Sequence, residues 1–215
     1  MSGTFSDPRN VVQTMVAPAH AANLRDFIGE QLIDLQKYVA AISSLTAQLD
    51  ADPDVNTTTY ATNDPVLTLA ETDYFEARNP VEPSLVGDVA TLLDNGILTD
   101  LTAIKAAIAA ITALLDADTG VTDTDYAANN DMGALTVVAL TETEIEARSP
   151  VEPMLSFASF GEIRDHSVLV VADLAAVRAA IVGITAQLDL DAGITATTFA
   201  ATSDPAAALV TALTA

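Results

Sequence analysis

The residues best suited to chemistry in this 215-residue chain are aspartates that recur after apolar segments. The fullest set is Asp116, Asp118, Asp123 and Asp125, around Gly120. Carboxylates one residue apart begin many Ca²⁺-binding loops, so these four are the candidate metal ligands. An EF-hand loop also has a third alternating ligand before its glycine and a glutamate at its twelfth position, and this sequence has neither. We therefore expect a solvent-exposed turn here, and we assign the protein no metal or other cofactor.

The same acidic pair occurs three times, and an aromatic residue followed by alanine comes after each pair. The three copies are Asp50-Ala51-Asp52 with Tyr60-Ala61, Asp116-Ala117-Asp118 with Tyr126-Ala127, and Asp189-Leu190-Asp191 with Phe199-Ala200. The aromatic residues are either a ligand-stacking set or structural residues that hold each loop against its own helix. We favour the structural role. Because the third copy has phenylalanine, the hydroxyl is not needed in every copy.

A second repeated motif, Glu-Ala-Arg, contains Arg78 and Arg148 in a strongly acidic chain. An arginine in such a setting is expected to pair with a carboxylate, with Glu82 and Glu152 as the candidate partners. Binding of an anionic ligand is the alternative for these arginines.

No residue pattern in the sequence supports catalysis. The two histidines are His20, and His166 beside Asp165. The sequence has no Gly-x-Ser-x-Gly motif, phosphate-binding loop, dinucleotide fingerprint or histidine spacing typical of a metal site. We therefore predict that the protein is not an enzyme, with no catalytic and no cofactor-binding residue.

Three helices are predicted to position the acidic turns. Apolar residues recur at alternating spacings of three and four, which is the seam pattern of a coiled coil. These seam residues are Leu35, Tyr38, Ile42, Leu45 and Leu49, then Leu101, Ile104, Ile108, Ile111 and Leu115, and then Leu174, Val177, Ile181, Ile184 and Leu188. The predicted helices run from Asn23, as the N-cap, to about Asp50, from about Asp88 or Asn95 to Asp116, and from about Gly161 to Asp189.

Polar residues and glycines add detail to these helices. Asp34, Gln36 and Lys37 predict a solvated face on the first helix. Gly120 and Gly193 follow the second and third helices closely, where glycine commonly ends a helix or redirects the chain.

The connections between the helices, each of about 40 residues, are far longer than those of an antiparallel bundle. They are long enough to return the chain to its starting end. We therefore expect a mainly α fold in which three parallel helices form a pseudo-threefold bundle. The alternative is a seam that forms between chains, as in a homotrimer. Short strands are predicted at 66–69 and 135–138, and each Pro-Val-Glu-Pro segment is expected to be extended.

The repeats also predict the domain organisation. An extended N-terminal arm is expected at residues 1–20. Three helical units follow at 21–83, 84–153 and 154–215, and the last is a truncated copy. We refer to them as units 1, 2 and 3.

Composition and charge limit the possible partners. The chain has 30 acidic and 8 basic residues and a formal charge of −22. Such a charge repels phosphate groups, so neither nucleic acid nor an anionic membrane is an expected partner. Adaptation to high salt is one explanation of this acidity. The apolar stretch 167–186 contains Asp173 and Arg178, and we expect it to be a buried bundle helix rather than a membrane span.

The segment Ile111–Ala128 resembles a short repeat in virion structural proteins of tailed phages, particularly marine and cyanobacterial phages. Its sequence contains Leu-Asp-Ala-Asp-Thr-Gly-Val-Thr-Asp-Thr-Asp-Tyr-Ala, and Gln48–Asp52 and Gln187–Thr195 are similar to parts of it. The resemblance covers the helix end and turn of each copy. It implies a component of the virus particle and identifies no functional residue.

The resemblance and the composition together lead to one expected function. We expect a non-enzymatic virion structural protein, either a capsid decoration or cement protein or a fibre-like protein of the head or neck. It would stabilise the particle through helical packing and extended arms. Its partners would be major capsid or neck proteins and further copies of itself in a homo-oligomer. The alternatives are a cellular helical-bundle scaffold or binding module, and a calcium-stabilised surface repeat protein.

Overall fold

The computed structural model describes residues 18–68, 96–137 and 157–211. Within these ranges the protein is mainly helical and contains no strand, so the predicted mainly α class is confirmed. Its long helices are α1 (Pro18–Ala51), α2 (Leu98–Ala117) and α3 (Phe157–Leu188). A short helical turn follows each long helix. These aromatic turns, named for their first residue, are Tyr60–Asn63, Tyr126–Asn129 and Phe199–Ser203.

The starts of the helices differ from the prediction more than their ends. Helix α1 begins at Pro18, so Asn23 lies inside it and is not its N-cap, and His20 belongs to the helix rather than to the arm. Proline is well tolerated in the first turn of a helix, because an N–H group there has no acceptor within the helix. Residues 1–17 of the predicted arm lie outside the described residues. Helix α3 begins at Phe157 rather than Gly161.

The predicted seam residues form the core. Each long helix contacts the other two, and every seam residue is at most 3% exposed. The core therefore contains Leu35, Tyr38, Ile42, Leu45 and Leu49 of α1, Leu101, Ile104, Ile108, Ile111 and Leu115 of α2, and Leu174, Val177, Ile181, Ile184 and Leu188 of α3. The heptad pattern thus predicted the buried faces correctly.

The predicted short strands are wrong where the structure describes them, at 66–68 and 135–137. The main-chain N–H groups of Thr68, Thr136 and Val137 donate to aspartate carboxylates of the long helices instead of to a neighbouring strand. The Pro-Val-Glu-Pro segments, with Arg78, Arg148, Glu82 and Glu152, lie outside the described residues.

Two described helices are long and apolar enough to cross a membrane by length and composition alone. They are Leu98–Ala117 and the Arg164–Leu188 part of α3, with mean hydropathies of 1.7 and 2.1. This is weak evidence, because the core helices of a bundle meet the same criterion. Both helices contribute their seam residues to the shared core.

Among the residues that the structure describes, two polar side chains in the core of α1 have no hydrogen-bond partner. Both polar atoms of the Gln31 amide and the hydroxyl of Tyr38 are buried and unpaired. Burial, reinforced by the nearby Asp34, raises the pKa of Tyr38 to about 12. At the equivalent repeat positions, units 2 and 3 have apolar residues, namely Ile97 and Val170 for Gln31, and Ile104 and Val177 for Tyr38.

Replacing either polar group should stabilise the protein. We expect Gln31→Ile and Tyr38→Phe each to raise the free energy of unfolding by about 1–2 kcal/mol, because an unpaired buried polar group loses hydration without compensation. Urea denaturation followed by circular dichroism measures the change. Gln36→Ile, at an exposed position of the same helix, is the control and should have little effect. A loss of stability in Tyr38→Phe would contradict the unpaired hydroxyl.

Candidate functional site

The first aspartate of each acidic pair caps the aromatic turn of its own unit. Asp50, Asp116 and Asp189 each accept two consecutive main-chain N–H groups, one on each carboxylate oxygen, at 2.6–3.1 Å. These N–H groups belong to Tyr60 and Ala61, Tyr126 and Ala127, and Phe199 and Ala200. The first N–H groups of a helical turn have no partner within the turn, so the carboxylate supplies the missing acceptors.

The aromatic rings are core residues. Tyr60 and Tyr126 are fully buried and Phe199 is 1% exposed. Each aromatic turn contacts the long helix of its own unit, which confirms the predicted structural role. It also contacts the helix of a second unit: α2 for the first turn, α3 for the second and α1 for the third. The aromatic turns therefore join units as well as closing their own loops.

Asp118, the second aspartate of its pair, binds the main chain of unit 1. Its carboxylate accepts N–H groups from Asn56 at 3.1 Å and Thr57 at 2.7 Å, and a third from Gly120 of its own unit at 2.8 Å. The Tyr60 hydroxyl also donates to it at 3.4 Å. Burial opposes ionisation of Asp118, but these donors outweigh burial and lower its pKa.

Asp191 makes the equivalent contacts one unit further along. It accepts N–H groups from Thr122 at 3.0 Å and Asp123 at 2.8 Å, the Thr122 hydroxyl at 2.6 Å, and the N–H of Gly193 at 2.7 Å. The Tyr126 hydroxyl donates at 3.2 Å. Burial alone would raise the pKa of Asp191, but the hydrogen bonds together have a larger, opposite effect and lower this pKa to about 2.

The prediction of solvent-exposed aspartates in these turns is therefore wrong for Asp118 and Asp191. Asp118 is 5% exposed and Asp191 is 4% exposed. Main-chain donors from a neighbouring unit take the place of water around each carboxylate. The same carboxylates, with burial, raise the pKa of Tyr60 and Tyr126, since a phenolate beside an aspartate is disfavoured.

Between unit 3 and unit 1 a different aspartate makes the corresponding bond. Asp52, the second aspartate of the first pair, accepts the N–H of Asp54 at 2.9 Å. Asp54 in turn accepts the N–H of Thr195 in unit 3 at 2.8 Å. The hydrogen bonds from Thr195 lower the pKa of Asp54. Asp54 therefore holds one main-chain N–H group of unit 3, whereas Asp118 and Asp191 each hold two from a neighbouring unit.

A second set of aspartates, nearer the start of each long helix, binds the segments that follow the aromatic turns. Asp100 of unit 2 accepts the N–H of Thr68 at 2.7 Å, and Asp173 of unit 3 accepts that of Val137 at 2.8 Å. Asp34 of unit 1 accepts consecutive N–H groups from unit 3 at 2.7 and 3.0 Å. These three upstream aspartates are at most 3% exposed, so Asp34 does not belong to the predicted solvated face.

The two sets of aspartates connect the units in one consistent direction. Unit 2 holds the loop and segment of unit 1, unit 3 holds those of unit 2, and unit 1 holds those of unit 3. We call these contacts the 1–2, 2–3 and 3–1 junctions.

Gly120 and Gly193 allow neighbouring loops to approach closely. A Cβ atom on Gly120 would lie 1.9 Å from the carbonyl oxygen of Asp54, and one on Gly193 would lie 2.3 Å from that of Gly120. Neither glycine has a positive φ angle, which among the described residues occurs at Gly133. Close approach, rather than an unusual turn, is thus the reason for glycine at both positions.

The four candidate metal ligands already accept hydrogen bonds from the protein. Asp116 and Asp118 bind main-chain N–H groups, while the Gln187 amide donates to Asp123 at 3.2 Å and to Asp125 at 2.7 Å. The described part of the chain contains no group of three or more histidine, aspartate or glutamate side chains placed to hold a metal ion.

Calcium should therefore leave thermal stability unchanged. We expect the melting midpoint, measured by circular dichroism, to be the same with added CaCl₂ and with EDTA, because the carboxylate oxygens are occupied by internal donors. MgCl₂ at equal ionic strength is the control for screening. A rise in midpoint specific to calcium would contradict this expectation and support the calcium-stabilised alternative.

Acid should weaken the junction at Asp191. The pKa of this group is about 2 in the folded protein and about 3.9 in an unfolded chain. Its stabilising contribution is therefore complete above about pH 4 and is lost as the pH falls through about 2. We expect the difference in unfolding free energy between wild type and Asp191→Asn to shrink over that range. A difference independent of pH would contradict the assignment.

The upstream aspartates were not predicted as a set. One signal was present, because each precedes the first seam leucine, in Asp34-Leu35, Asp100-Leu101 and Asp173-Leu174. His166, which stands beside Asp165 in the sequence, is buried within α3.

Comparisons with protein-family models, curated proteins and solved structures give no match for this chain.

Proposed function

We propose that the three units form a parallel pseudo-threefold bundle closed within one chain. The contacts among all three long helices support this arrangement. Asp118 and Asp191, at the ends of α2 and α3, bind the loops of units 1 and 2, and Asp54, which follows α1, binds the loop of unit 3. These contacts support C-terminal ends of the three helices that lie side by side. The equivalent bonds of Asp34, Asp100 and Asp173 lie nearer the helix starts, as parallel helices require.

We propose that this bundle is a non-enzymatic structural protein of a virus particle. The observation that carries the proposal is the use of its carboxylates. Asp50, Asp116 and Asp189 hold main-chain N–H groups of their own aromatic turns, and Asp118, Asp191 and the upstream aspartates hold those of other units. The acidic groups that recur in the repeat therefore form an architectural framework. The resemblance to virion repeats of tailed phages lies in the same helix-end segments.

The outer faces of α2 and α3 agree with packing against another protein. Exposed positions on these faces carry small uncharged residues, namely Ala106, Ala109 and Ala113 on α2 and Ala172, Ala175 and Ala179 on α3. Exposed helix positions of a soluble protein are usually charged or polar. We propose contact with major capsid or neck proteins, as a decoration, cement or fibre-like protein, and assembly as a homo-oligomer.

The net charge of −22 is the reason we propose no nucleic-acid or membrane partner. A position on the outside of the particle keeps such a protein away from packaged DNA.

Immunogold electron microscopy with an antibody to the full chain tests this function on particles purified from the source culture. We expect label on the head or neck, and neighbouring genes that encode capsid, portal or terminase proteins. A preparation treated with an antibody to a host cytoplasmic protein controls for contamination. Label confined to cells would contradict the virion role and favour a cellular scaffold or binding module.

A further inference from the structure

The 3–1 junction joins parts of the chain that are far apart in sequence. Its hydrogen bonds connect residues between 141 and 176 positions apart. Those of the other two junctions connect residues at most 71 positions apart. One connection, residues 138–156, joins unit 3 to units 1 and 2. An interface between distant segments has the same contacts whether they belong to one chain or to two.

Unit 3 binds α1 along much of the helix. Asp34 accepts the N–H groups of Leu209 and Val210, and the Lys37 ammonium donates to the carbonyl oxygen of Ala207 at 3.0 Å. Two turns further along α1, the Gln48 amide and Ser44 bond to the hydroxyl of Ser203. The phenyl ring of Phe199 enters the common core. The surface of α1 that receives unit 3 is therefore specific in both its polar and its apolar contacts.

This junction depends less on charge at the helix ends than the other two do. Asp54 holds one amide of unit 3, whereas Asp118 and Asp191 each hold two amides of the preceding unit. Phe199 has no hydroxyl to donate, whereas Tyr60 and Tyr126 each donate to an aspartate. Opening the 3–1 junction thus breaks fewer charge-assisted hydrogen bonds at this end than opening either of the others.

We propose that the closed bundle also converts to a dimer by exchange, in which unit 3 of each copy packs on units 1 and 2 of its partner. A second copy is the occupant that the contacts define, because it carries the same groove on α1 and the same segment that fills it. Exchange opens both the 2–3 and the 3–1 junctions of one copy and re-forms both with the partner, so each bundle of the dimer keeps all three junctions. The proposal stands independently of the virion role.

The length of the connection between units 2 and 3 and the net charge of the chain are both compatible with this exchange. Residues 138–156 can span about 60 Å when extended, which exceeds the length of about 48 Å expected for the 32 residues of α3. Two copies with a formal charge of −22 each repel one another at low ionic strength. Salt screens that repulsion, so the exchanged dimer should form more readily at high salt.

The absence of cysteine from the chain permits a direct cross-linking test. The hydroxyl oxygens of Ser44 and Ser203 lie 3.0 Å apart across the 3–1 junction. One full-length chain carries Ser44→Cys and a second carries Ser203→Cys. After mixing under mild oxidation, we expect a disulfide-linked dimer on a non-reducing gel, with a yield severalfold above the control and greater at high salt.

The control pair crosses the 1–2 junction, which stays within one chain when unit 3 exchanges. Asn56→Cys and Thr119→Cys, again in separate chains, replace exposed residues whose side chains are bonded at 3.1 Å. Their cross-linking measures random collision. Equal yields of dimer from the two pairs, whether low or high, would overturn the proposal.

Wild-type protein provides a second test that involves no substitution. Unlabelled and ¹⁵N-labelled full-length chains are mixed at high salt and analysed by native mass spectrometry. We expect dimers of intermediate mass, which grow with time as unit 3 exchanges. A population of monomers alone would overturn the proposal even if the cysteine variants fold poorly.

Discussion

Gly120→Ala is expected to lower the free energy of unfolding by about 3 kcal/mol or more, because the added methyl group would clash with main-chain atoms and only a movement of the backbone could remove the clash. The added Cβ would lie 1.9 Å from the carbonyl oxygen of Asp54. That oxygen belongs to the backbone of unit 1, so no side-chain rotation can remove the clash. The loops of units 1 and 2 would have to separate, which would weaken the bonds between Asp118 and the first loop. Urea denaturation followed by circular dichroism measures the loss.

Asp54→Ala is the matched control for this substitution. Asp54 occupies the position in unit 1 that corresponds to Gly120 in unit 2, and it already carries a side chain. Because its carboxylate holds a single main-chain N–H of another unit, we expect a much smaller loss of stability than in Gly120→Ala. Wild-type stability in Gly120→Ala would show that the loops separate easily and would contradict close packing at this position.

Asp191→Asn is expected to destabilise the protein by about 3 kcal/mol. The carboxylate receives N–H groups from Thr122, Asp123 and Gly193 and hydroxyl groups from Thr122 and Tyr126. An asparagine of the same shape places an NH₂ group against some of these donors and removes the charge that strengthens the remaining bonds. Thermal and urea denaturation at pH 7 measure the effect without perturbing other carboxylates.

Equivalent positions in the other units supply the controls for Asp191→Asn. Asp118→Asn should cost a similar amount, because Asp118 also holds two amides of a neighbouring unit. Asp52→Asn should cost less than about 1 kcal/mol, since Asp52 accepts one local N–H. Equal losses in all three variants would show that the aspartates act within their own turns and not between units.

The helices and core were predictable because their signals are local. A seam at spacings of three and four can be read from α1, α2 and α3 separately, and the apolar residues that it marks are those that the structure buries. The aromatic turns were predictable for the same reason, since Tyr60, Tyr126 and Phe199 recur at a fixed distance from their helices.

The roles of the aspartates were not predictable from local sequence, because their partners belong to other units. Because the acidic pairs lack the further ligands of an EF-hand loop, Asp118 and Asp191 suggested solvated turns. Their N–H donors lie 61–69 residues away in sequence. Asp34 suggested a solvated face in the same way, while its donors Leu209 and Val210 are 175 and 176 residues away. The burial of these charges depends on packing between units. A local stretch of sequence does not include both partners of such a contact.

The junction aspartates bind main-chain N–H groups, and this has a consequence for how the protein can change. The residues whose N–H groups they hold already differ: Asn56 and Thr57 in the first loop, Thr122 and Asp123 in the second, and Thr195 in the third. A carboxylate that recognises the backbone accepts almost any side chain other than proline at these places. The exposed end of the bundle can therefore diversify under selection while the framework beneath it stays constant, as the loops of an antibody do on a fixed scaffold.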